Sequence, residues 1–254
     1  MKLEPVPTAM SKPLGLPVQH YPARSLWRSI WAAVLAVLGI SGLIIALALL
    51  EGVQPPWLAI LIGTHIVLIL SVAAILLNHL RDAVIGVGLF QNGIEVQRAP
   101  GENHVLTWDE IEHLWLKTVP LRMGAALRQL VIHTSDGQEI ILTDKLPGIA
   151  DLRLRVAKLH AQHQLAAARL RVAQGEVLDF GPFRLSNAGL ALHDEHFEWA
   201  SMRSIKFEER LVSVHASDTK LHPQLTSDVS DVMLLAAFCA ERLHPEQIDN
   251  QIDR

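Results

Sequence analysis

Charged side chains are absent from two consecutive apolar runs near the amino terminus. No Asp, Glu, Lys or Arg lies between Ser29 and Leu50 or between Gly52 and Leu80, and only Glu51 separates the two runs. A helix of about 20 apolar residues is long enough to cross the hydrocarbon core of a membrane, which is about 30 Å thick. The runs therefore predict a transmembrane helical hairpin over residues 24–81.

The flanks of these runs predict the orientation of the hairpin. Lys12, Arg24 and Arg28 precede the first run and Arg81 follows the second, whereas the connecting loop around Pro55 has neither Lys nor Arg. Because cytoplasmic flanks carry more Lys and Arg, both termini are expected in the cytoplasm. The predicted location is therefore a plasma or bacterial inner membrane, as an integral protein. The predicted partners are the lipid bilayer and other membrane proteins.

Small and polar residues inside the runs are candidates for helix–helix contacts. Small residues four positions apart let helix backbones approach closely, and polar side chains form hydrogen bonds between helices. The candidates are Ala32, Ala36, Gly42, Ala46, Thr64 and His65. Such contacts fit either the two helices of one chain or a second copy, so a homo-oligomer stays open.

Two histidines in the second run suggest an alternative. His65 and His79 lie on nearly the same face of a helix, about 21 Å apart along its axis at about 1.5 Å per residue. Histidines with this spacing can ligate haem groups between several helices. The first run contains no histidine, so the remaining ligands would come from another chain. No cofactor is predicted.

The charge balance and the cysteine content exclude several classes of protein. The chain has 26 acidic and 22 basic residues and a net charge of −4, whereas nucleic-acid-binding domains are basic. A nucleic-acid partner is therefore not expected. One cysteine, Cys239, cannot form a disulfide framework or a zinc finger within the chain. Its apolar neighbours predict a small buried residue.

The sequence pattern of residues 82–174 predicts short strands followed by one helix. Asn92-Gly93 and Ser135-Asp136-Gly137 are typical of hairpin turns. Pro147-Gly148 precedes a long helical pattern that ends near Gln174. The predicted strands are Ala83–Phe90, Ile94–Arg98, His104–Trp108, Ile111–Thr118, Leu130–Thr134 and Glu139–Thr143.

The sequence pattern of residues 175–247 predicts a second series of short strands followed by one helix. The strand-like segments are Val177–Leu185, Leu190–Leu192 and Leu211–His215. A helix is predicted from Ser227 or Asp228, which are good N-cap residues, to about Leu243. The proline-rich residues 1–23 and residues 248–254 are predicted to be tails.

The two regions share a pattern that predicts an internal repeat. Trp108 and Trp199 are each followed by apolar residues at positions +3, +6 and +8. A large ring at the same place in each copy is expected to fill the space between sheet and helix. The predicted core anchors are Trp108, Ile111, Trp199 and Met202.

Three segments carry a resemblance to a known type of protein. They are Thr107–Ile111 (TWDEI), Leu142–Ile149 (LTDKLPGI) and Gly175–Pro182 (GEVLDFGP). Over about residues 25–245 the chain resembles an uncharacterised family of membrane proteins with two amino-terminal helices and tandem pleckstrin-homology-like (PH-like) modules. The resemblance implies an α+β fold in which a two-helix transmembrane hairpin precedes modules at 82–174 and 175–247. Each module would consist of antiparallel strands closed by a carboxy-terminal helix.

Three further groups of side chains are candidate contact sites. Arg153, Arg155 and Lys158, at the start of the long predicted helix, are candidate contacts to lipid headgroups or to a partner. His193 and His196, in a predicted hairpin tip, are candidate metal ligands. His160 and His163, three positions apart on the long predicted helix, also have a spacing that can bind a metal ion. A closed zinc site needs four ligands, so no metal site is predicted.

The sequence favours a role without chemistry. No G-x-S-x-G, P-loop, H-E-x-x-H or G-x-G-x-x-G motif occurs, and the resemblance implies no catalytic residue. The main expectation is a non-catalytic, membrane-anchored interaction or scaffold protein that serves a membrane complex as an accessory or assembly subunit. One alternative is a lipid- or signal-sensing PH-like binding module. A second is a haem or metal protein that uses the histidines of the apolar runs.

Overall fold

The structure is a computed structural model, and it places most of the chain after residue 83. Of the two apolar runs it describes only parts. The described residues are 14–22, 35–36, 39–44, 46, 50, 60, 62–71, 73–74, 84–98, 102–120, 126–144, 146–193, 195–216 and 222–252.

Two antiparallel sheets and a long helix form the N-terminal unit, which comprises residues 84–174. Its elements, together with the strand that precedes it, are β1 (Pro17–Pro22), β2 (Val84–Phe90), β3 (Gly93–Arg98), β4 (Glu102–Thr107), β5 (Ile111–Pro120), β6 (Ala126–Thr134), β7 (Glu139–Thr143) and α1 (Ile149–Ala173). Strands β1 to β4 lie side by side in chain order, and β5 to β7 form the second sheet. A 3-10 turn at Trp108–Glu110 connects the two sheets.

The C-terminal unit, residues 175–252, has the same order of elements. They are β8 (Leu178–Asp179), β9 (Phe183–Leu185), β10 (Gly189–Leu192), β11 (Glu195–Glu198), β12 (Met202–Phe207), β13 (Leu211–Ala216), β14 (His222–Leu225), α2 (Val232–Arg242) and β15 (Ile248–Asn250). The sheet orders are β11-β10-β9-β8 and β14-β13-β12-β15. A 3-10 turn at Trp199–Ser201 again connects the sheets. The repeat in the sequence therefore corresponds to a repeat of structure.

A β-bulge explains why apolar residues follow each tryptophan at +3, +6 and +8. In β5 the pairing register shifts between Ile111 and His113, and in β12 it shifts between Met202 and Ser204. A bulge inserts one residue and reverses the face to which later side chains point. The spacing of three before Leu114 therefore keeps the apolar side chains on the buried face.

Glycine is required at equivalent positions in the two units because backbones approach closely there. A Cβ atom on Gly93 would lie 2.1 Å from the carbonyl oxygen of Leu106, and one on Gly189 would lie 2.1 Å from that of Phe197. No side chain fits at such distances. Each glycine begins the strand that follows the hairpin turn, β3 or β10.

The proline-rich amino-terminal segment contributes a strand, contrary to its prediction as a tail. Strand β1 pairs with β2 in antiparallel register, with Tyr21 opposite Val87. Tyr21 is buried, and its hydroxyl donates a 2.7 Å hydrogen bond to Asp151 in α1. One aromatic side chain therefore connects an edge strand to the core, while most of β1 stays exposed.

The carboxy-terminal residues also belong to the fold. Strand β15 pairs with β12 in parallel, with Ile205 opposite Ile248. Ile252 beyond it is 5% exposed, and the N–H of Gln251 donates to the carbonyl oxygen of Phe207. Residues 248–252 are therefore packed and are not a tail.

The predicted transmembrane hairpin is wrong. Among the residues that the structure describes, no helix is long and apolar enough to cross a membrane. Absence of charge shows only that no ionised group needs solvation, and it does not fix the length of a helix. The predicted orientation and integral-membrane location are corrected with it.

The predicted fold class is corrected for the same reason. The described part of the chain consists mostly of four small sheets, antiparallel except for the β12–β15 pair, with a few helices. It contains no amino-terminal transmembrane hairpin. The hydrophobic core instead lies within and between the two units, where Trp108, Phe183, Phe207 and Phe238 are fully buried.

Candidate functional site

A cleft of about 460 Å³ lies between the N-terminal and C-terminal units. It is lined from one side by the start of β5 and by α1, and from the other by β8 and the start of α2. Ligand sites in proteins are most often clefts of this size, lined by apolar groups and a few placed polar ones. This cleft is therefore the candidate site.

Asp231 lies at the base of the cleft in an unusual backbone conformation. Its φ of 46° and ψ of 40° lie in the left-handed region, and it is the N-cap residue of α2. The backbone N–H donates a 2.7 Å hydrogen bond to Leu114 of β5, so the start of α2 is attached to the other unit. Residues with side chains rarely adopt this conformation, and such strain is concentrated at functional sites.

His113 is placed beside Asp231 by the bulge in β5. Its Nδ1 lies 3.2 Å from Oδ2 of Asp231, and its side chain is 38% exposed toward the cleft opening. The hydrogen bond to Asp231 raises the pKa of His113 against the opposing effect of burial. Burial would raise the pKa of Asp231, but its interactions with His113 and His160 outweigh this effect and lower that pKa. The geometry therefore favours an imidazolium–carboxylate pair.

His160 of α1 completes the group from the opposite side. Its Nε2 lies 3.3 Å from Oδ1 of Asp231, and its side chain is 3% exposed. The ring packs against Trp108 at a centroid distance of 6.3 Å. Within the described residues, Nδ1 of His160 has no hydrogen-bond partner, and Oδ1 of Asp231 accepts no hydrogen bond of good geometry. We name His113, His160 and Asp231 the His–Asp–His cluster.

The opening of the cleft is acidic. Glu112 and Asp179 are exposed there, and Asp109 is 79% exposed and pairs with His163 at 2.9 Å. Arg171 also lines the cleft, but its guanidinium is bonded to Glu176. Carboxylates therefore outnumber unpaired basic groups among the lining residues.

The predicted core anchors differ in burial. Trp108 is 1% exposed, and its indole N–H donates a 2.7 Å hydrogen bond to Gln91. Ile111 and Met202 are each 2% exposed. Trp199 is only half-buried, although it packs against the core. Ile111 also lines the cleft, so one predicted anchor contributes to the candidate site.

The predicted headgroup contacts lie in three different environments. Arg153 is 4% exposed, and its guanidinium donates to Glu209 at 2.7 Å and to Thr118 at 3.2 Å. Arg155 is exposed and forms an ion pair with Asp151, one turn earlier. Lys158 is half-buried on the same helix. Arg153 thus connects α1 to the C-terminal unit and does not face solvent.

The candidates in the apolar runs are only partly described. Ala32 and His79 lie outside the described residues. Those that are described lie on exposed or half-buried helical positions, and the Thr64 hydroxyl donates within its own helix, to Ile60. These residues are Ala36, Gly42, Ala46, Thr64 and His65.

The predicted histidine pairs do not form metal sites in the described chain. His193, with a φ of 54°, and His196 are both exposed at the β10–β11 turn. His160 is buried, whereas the neighbouring His163 bonds Asp109 on the surface. Among the described residues, no group of three or more His, Cys, Asp or Glu is arranged to hold a metal ion. In the His–Asp–His cluster, the imidazoles approach different oxygens of one carboxylate.

Cys239 is buried, as its sequence context predicts. It is fully enclosed in α2, and burial raises the pKa of its thiol to about 12. The group therefore stays a neutral thiol near pH 7, and it packs as a small apolar residue.

Sequence reasoning missed the central residue of the site. Asp231 is 118 positions from His113 and 71 from His160, and the predicted N-cap of the last helix was Ser227 or Asp228. The structure shows a separate 3-10 turn at Thr226–Asp228, and α2 begins at Val232. The apolar spacing after Trp108 is the local signal near His113: it was interpreted only as part of a repeat, and the structure shows that it reflects the bulge.

The chain matches a known family model over most of its length. The sequence model of the family described as "Family of unknown function (DUF6585)" matches residues 1–240. The chain belongs to this family. The family indicated by the resemblance, of two-helix membrane proteins with PH-like modules, is therefore corrected to DUF6585. No curated protein matches the chain significantly.

Proposed function

We propose that the protein is a non-catalytic binding module whose ligand occupies the cleft between its two units. The observation that carries this proposal is the His–Asp–His cluster at the base of the cleft. Two of its polar atoms, Nδ1 of His160 and Oδ1 of Asp231, are buried without a well-formed hydrogen bond in the described structure. Buried polar groups are nearly always satisfied, and an exception calls for a physical reason. A ligand in the cleft that bonds to these atoms supplies that reason.

The positions of the two units support the same role. Asp231 belongs to the C-terminal unit, whereas His113 and His160 belong to the N-terminal unit. A ligand that bonds to the cluster therefore contacts both units at once. Binding sites often lie at such interfaces between units. The interaction role expected from the sequence is kept in this form, without membrane anchoring.

The cleft can be blocked without disturbing the core. Val177 lines the cleft and is 53% exposed, so Val177→Trp places a large ring in the opening. Leu170 on α1 is 61% exposed and does not line the cleft, so Leu170→Trp is the matched control. Both substitutions are tolerated in principle, because exposed positions have room for a larger side chain.

A fragment screen of the full chain tests the proposal. We would record ¹⁹F NMR spectra of a fluorinated fragment set that contains cationic, neutral and anionic members. We expect hits whose line broadening is lost in Val177→Trp and kept in Leu170→Trp. If no fragment responds to Val177→Trp, the cleft is not a binding site and the proposal fails.

A second candidate function is acid–base catalysis at the same cleft. One observation favours it: a buried carboxylate orients a partly exposed imidazole, as in many general bases. This role predicts hydrolysis of p-nitrophenyl acetate that is lost in His113→Ala and kept in His215→Ala, a histidine of β13. Equal rates in the two variants would exclude it.

A further inference from the structure

The carboxylates around the cleft determine which ligand charge it favours. Asp109, Glu112, Asp179 and Asp231 all line it. Asp109 pairs with His163 and Asp231 pairs with His113, which leaves Glu112 and Asp179 without an ion pair in the described structure. The one lining arginine, Arg171, is bonded to Glu176. The charges of Glu112 and Asp179 act on His113 and raise its pKa further, after the larger effect of Asp231. Both carboxylates are therefore close enough to act on a charged group bound beside His113.

The buried carboxylate at the base of the cleft requires a donor. Oδ1 of Asp231 is an acceptor. Nδ1 of His160, which also lines the cleft, has no hydrogen-bond partner in the described structure. A ligand that satisfies Oδ1 of Asp231 must carry an N–H or O–H donor. A ligand carboxylate has no donor and is repelled by the carboxylates of the cleft.

Apolar side chains form part of the lining of the cleft. They include Ile111 of the N-terminal unit and Leu178, Phe180 and Leu234 of the C-terminal unit. A bare metal ion makes no use of such walls, and hard cations need several oxygen ligands. An organic ligand with an apolar body does use them.

We propose that the cleft binds a small organic cation whose ammonium, amidinium or guanidinium group bonds to Asp231 and whose apolar body contacts Phe180. This inference rests on the proposed binding role of the cleft and names the class of ligand. The negative opening attracts the cation, and charge-assisted hydrogen bonds to the carboxylates hold it. The same chemistry fits a free amine and the side chain of a basic residue.

Three probes of equal shape test the charge preference. Benzamidine is a planar amidinium cation, benzamide is its neutral analogue, and benzoate is the anion. Isothermal titration calorimetry on the full chain is expected to show benzamidine bound at least roughly tenfold more tightly than benzamide, a difference of about 1.4 kcal/mol. Benzoate is expected to bind more weakly still. Added salt is expected to lower the affinity for benzamidine, because it screens the attraction between charges.

Variants locate the binding site. Asp231→Asn should abolish the preference for benzamidine, and the exposed variants Glu112→Gln and Asp179→Asn should weaken it without unfolding the protein. Glu198→Gln, on the surface outside the cleft, is the matched control and should leave affinity unchanged. Benzamidine binding that is indifferent to Asp179→Asn, Glu112→Gln and Val177→Trp would overturn the proposal.

The outcomes separate this inference from the proposed function. If benzamide or benzoate binds as tightly as benzamidine and both are blocked by Val177→Trp, the cleft is a ligand site but the ligand class is wrong. The class is also wrong if benzamidine does not bind while other fragments occupy the cleft. If benzamidine binds in the cleft and a peptide with an amino-terminal arginine does not compete with it, the natural ligand is a small molecule and not a protein segment.

Discussion

The imidazole Nδ1 of His113 lies 3.2 Å from Oδ2 of Asp231, although 118 positions separate the two residues in the chain. The contact joins a bulge in the first strand of one sheet to the N-cap of the helix in the other unit. Beside it, the backbone N–H of Asp231 donates to Leu114. One residue therefore uses both its side chain and its backbone to hold the two units together.

Removing the charge of Asp231 is expected to destabilise the fold. Asp231→Asn keeps the size of the side chain, and Asn tolerates the left-handed conformation. It leaves His113 and His160 facing an amide in place of a carboxylate, which should lower the free energy of unfolding by about 1–3 kcal/mol. Urea denaturation measures the change. The exposed Asp228→Asn is the control, and equal stability of the two variants would contradict the predicted role of Asp231.

Stability should depend on pH through the same pair. The folded-state pKa of His113 is raised above 6.5, so its contribution is fully present below about pH 6.5 and is lost as pH rises through the folded pKa. The pKa of Asp231 is lowered below 3.8, so its contribution is present above about pH 3.8 and is lost as pH falls through its folded pKa. Stabilisation by the pair is therefore greatest between these values.

This pH dependence of stability is expected to be small, because His113 is 38% exposed and solvent screens its charge. The free energy of unfolding should change by less than about 1 kcal/mol. Glu112 and Asp179 also raise the pKa of His113, so Glu112→Gln and Asp179→Asn should reduce that rise. NMR titration of the His113 ring measures its pKa directly. A ring that titrates identically in the wild type and in Asp231→Asn would refute the pairing.

Two arginines that look alike in the sequence should behave differently. Arg153 is 4% exposed and bonds Glu209, Thr118 and the carbonyl of Lys117, whereas Arg155 is exposed and pairs only one turn away. Arg153→Met should therefore lower the free energy of unfolding by about 1–3 kcal/mol. Arg155→Met is the matched control and should have little effect.

A double-mutant cycle with Glu209→Gln tests whether Arg153 connects the units. If the ion pair at 2.7 Å matters, the two substitutions should not be additive. Additive effects would show that Arg153 acts only through packing of its apolar stem.

The amino-terminal strand should depend on the hydroxyl of Tyr21. Tyr21→Phe keeps the ring in the core and removes the 2.7 Å hydrogen bond to Asp151, which should cost about 1 kcal/mol. Hydrogen exchange of the β2 amides that bond β1 should speed up, while exchange in β10 of the other unit stays unchanged. Unaltered exchange in β2 would mean that backbone pairing alone holds the strand.

Much of the fold after residue 83 was predictable, because local patterns determine it. Strand β7 has the bounds that alternation and turn residues predict, and helix α1 lies within one or two residues of its prediction. The apolar residues at +3, +6 and +8 after Trp108, which are Ile111, Leu114 and Leu116, are buried, with exposures of 1–3%. Strand β1 was missed because its pairing with β2 is non-local, and prolines bound it at both ends.

The candidate site was not predictable in the same way. His160 was paired in the sequence with His163, three positions along one helix, but α1 directs the first inward and the second to the surface. Asp231 carries no local signal, because its role depends on the packing of one unit against the other. The apolar runs led to a wrong prediction of membrane-spanning helices, because an uncharged composition does not by itself determine the length of a helix.

A crystal structure of the full chain with benzamidine tests the central claim most directly. The account predicts an amidinium nitrogen within about 3 Å of a carboxylate oxygen of Asp231. It also predicts the phenyl ring in contact with Phe180. A structure in which benzamidine binds elsewhere, at a concentration that saturates the protein in solution, would contradict the assignment of the cleft as the ligand site.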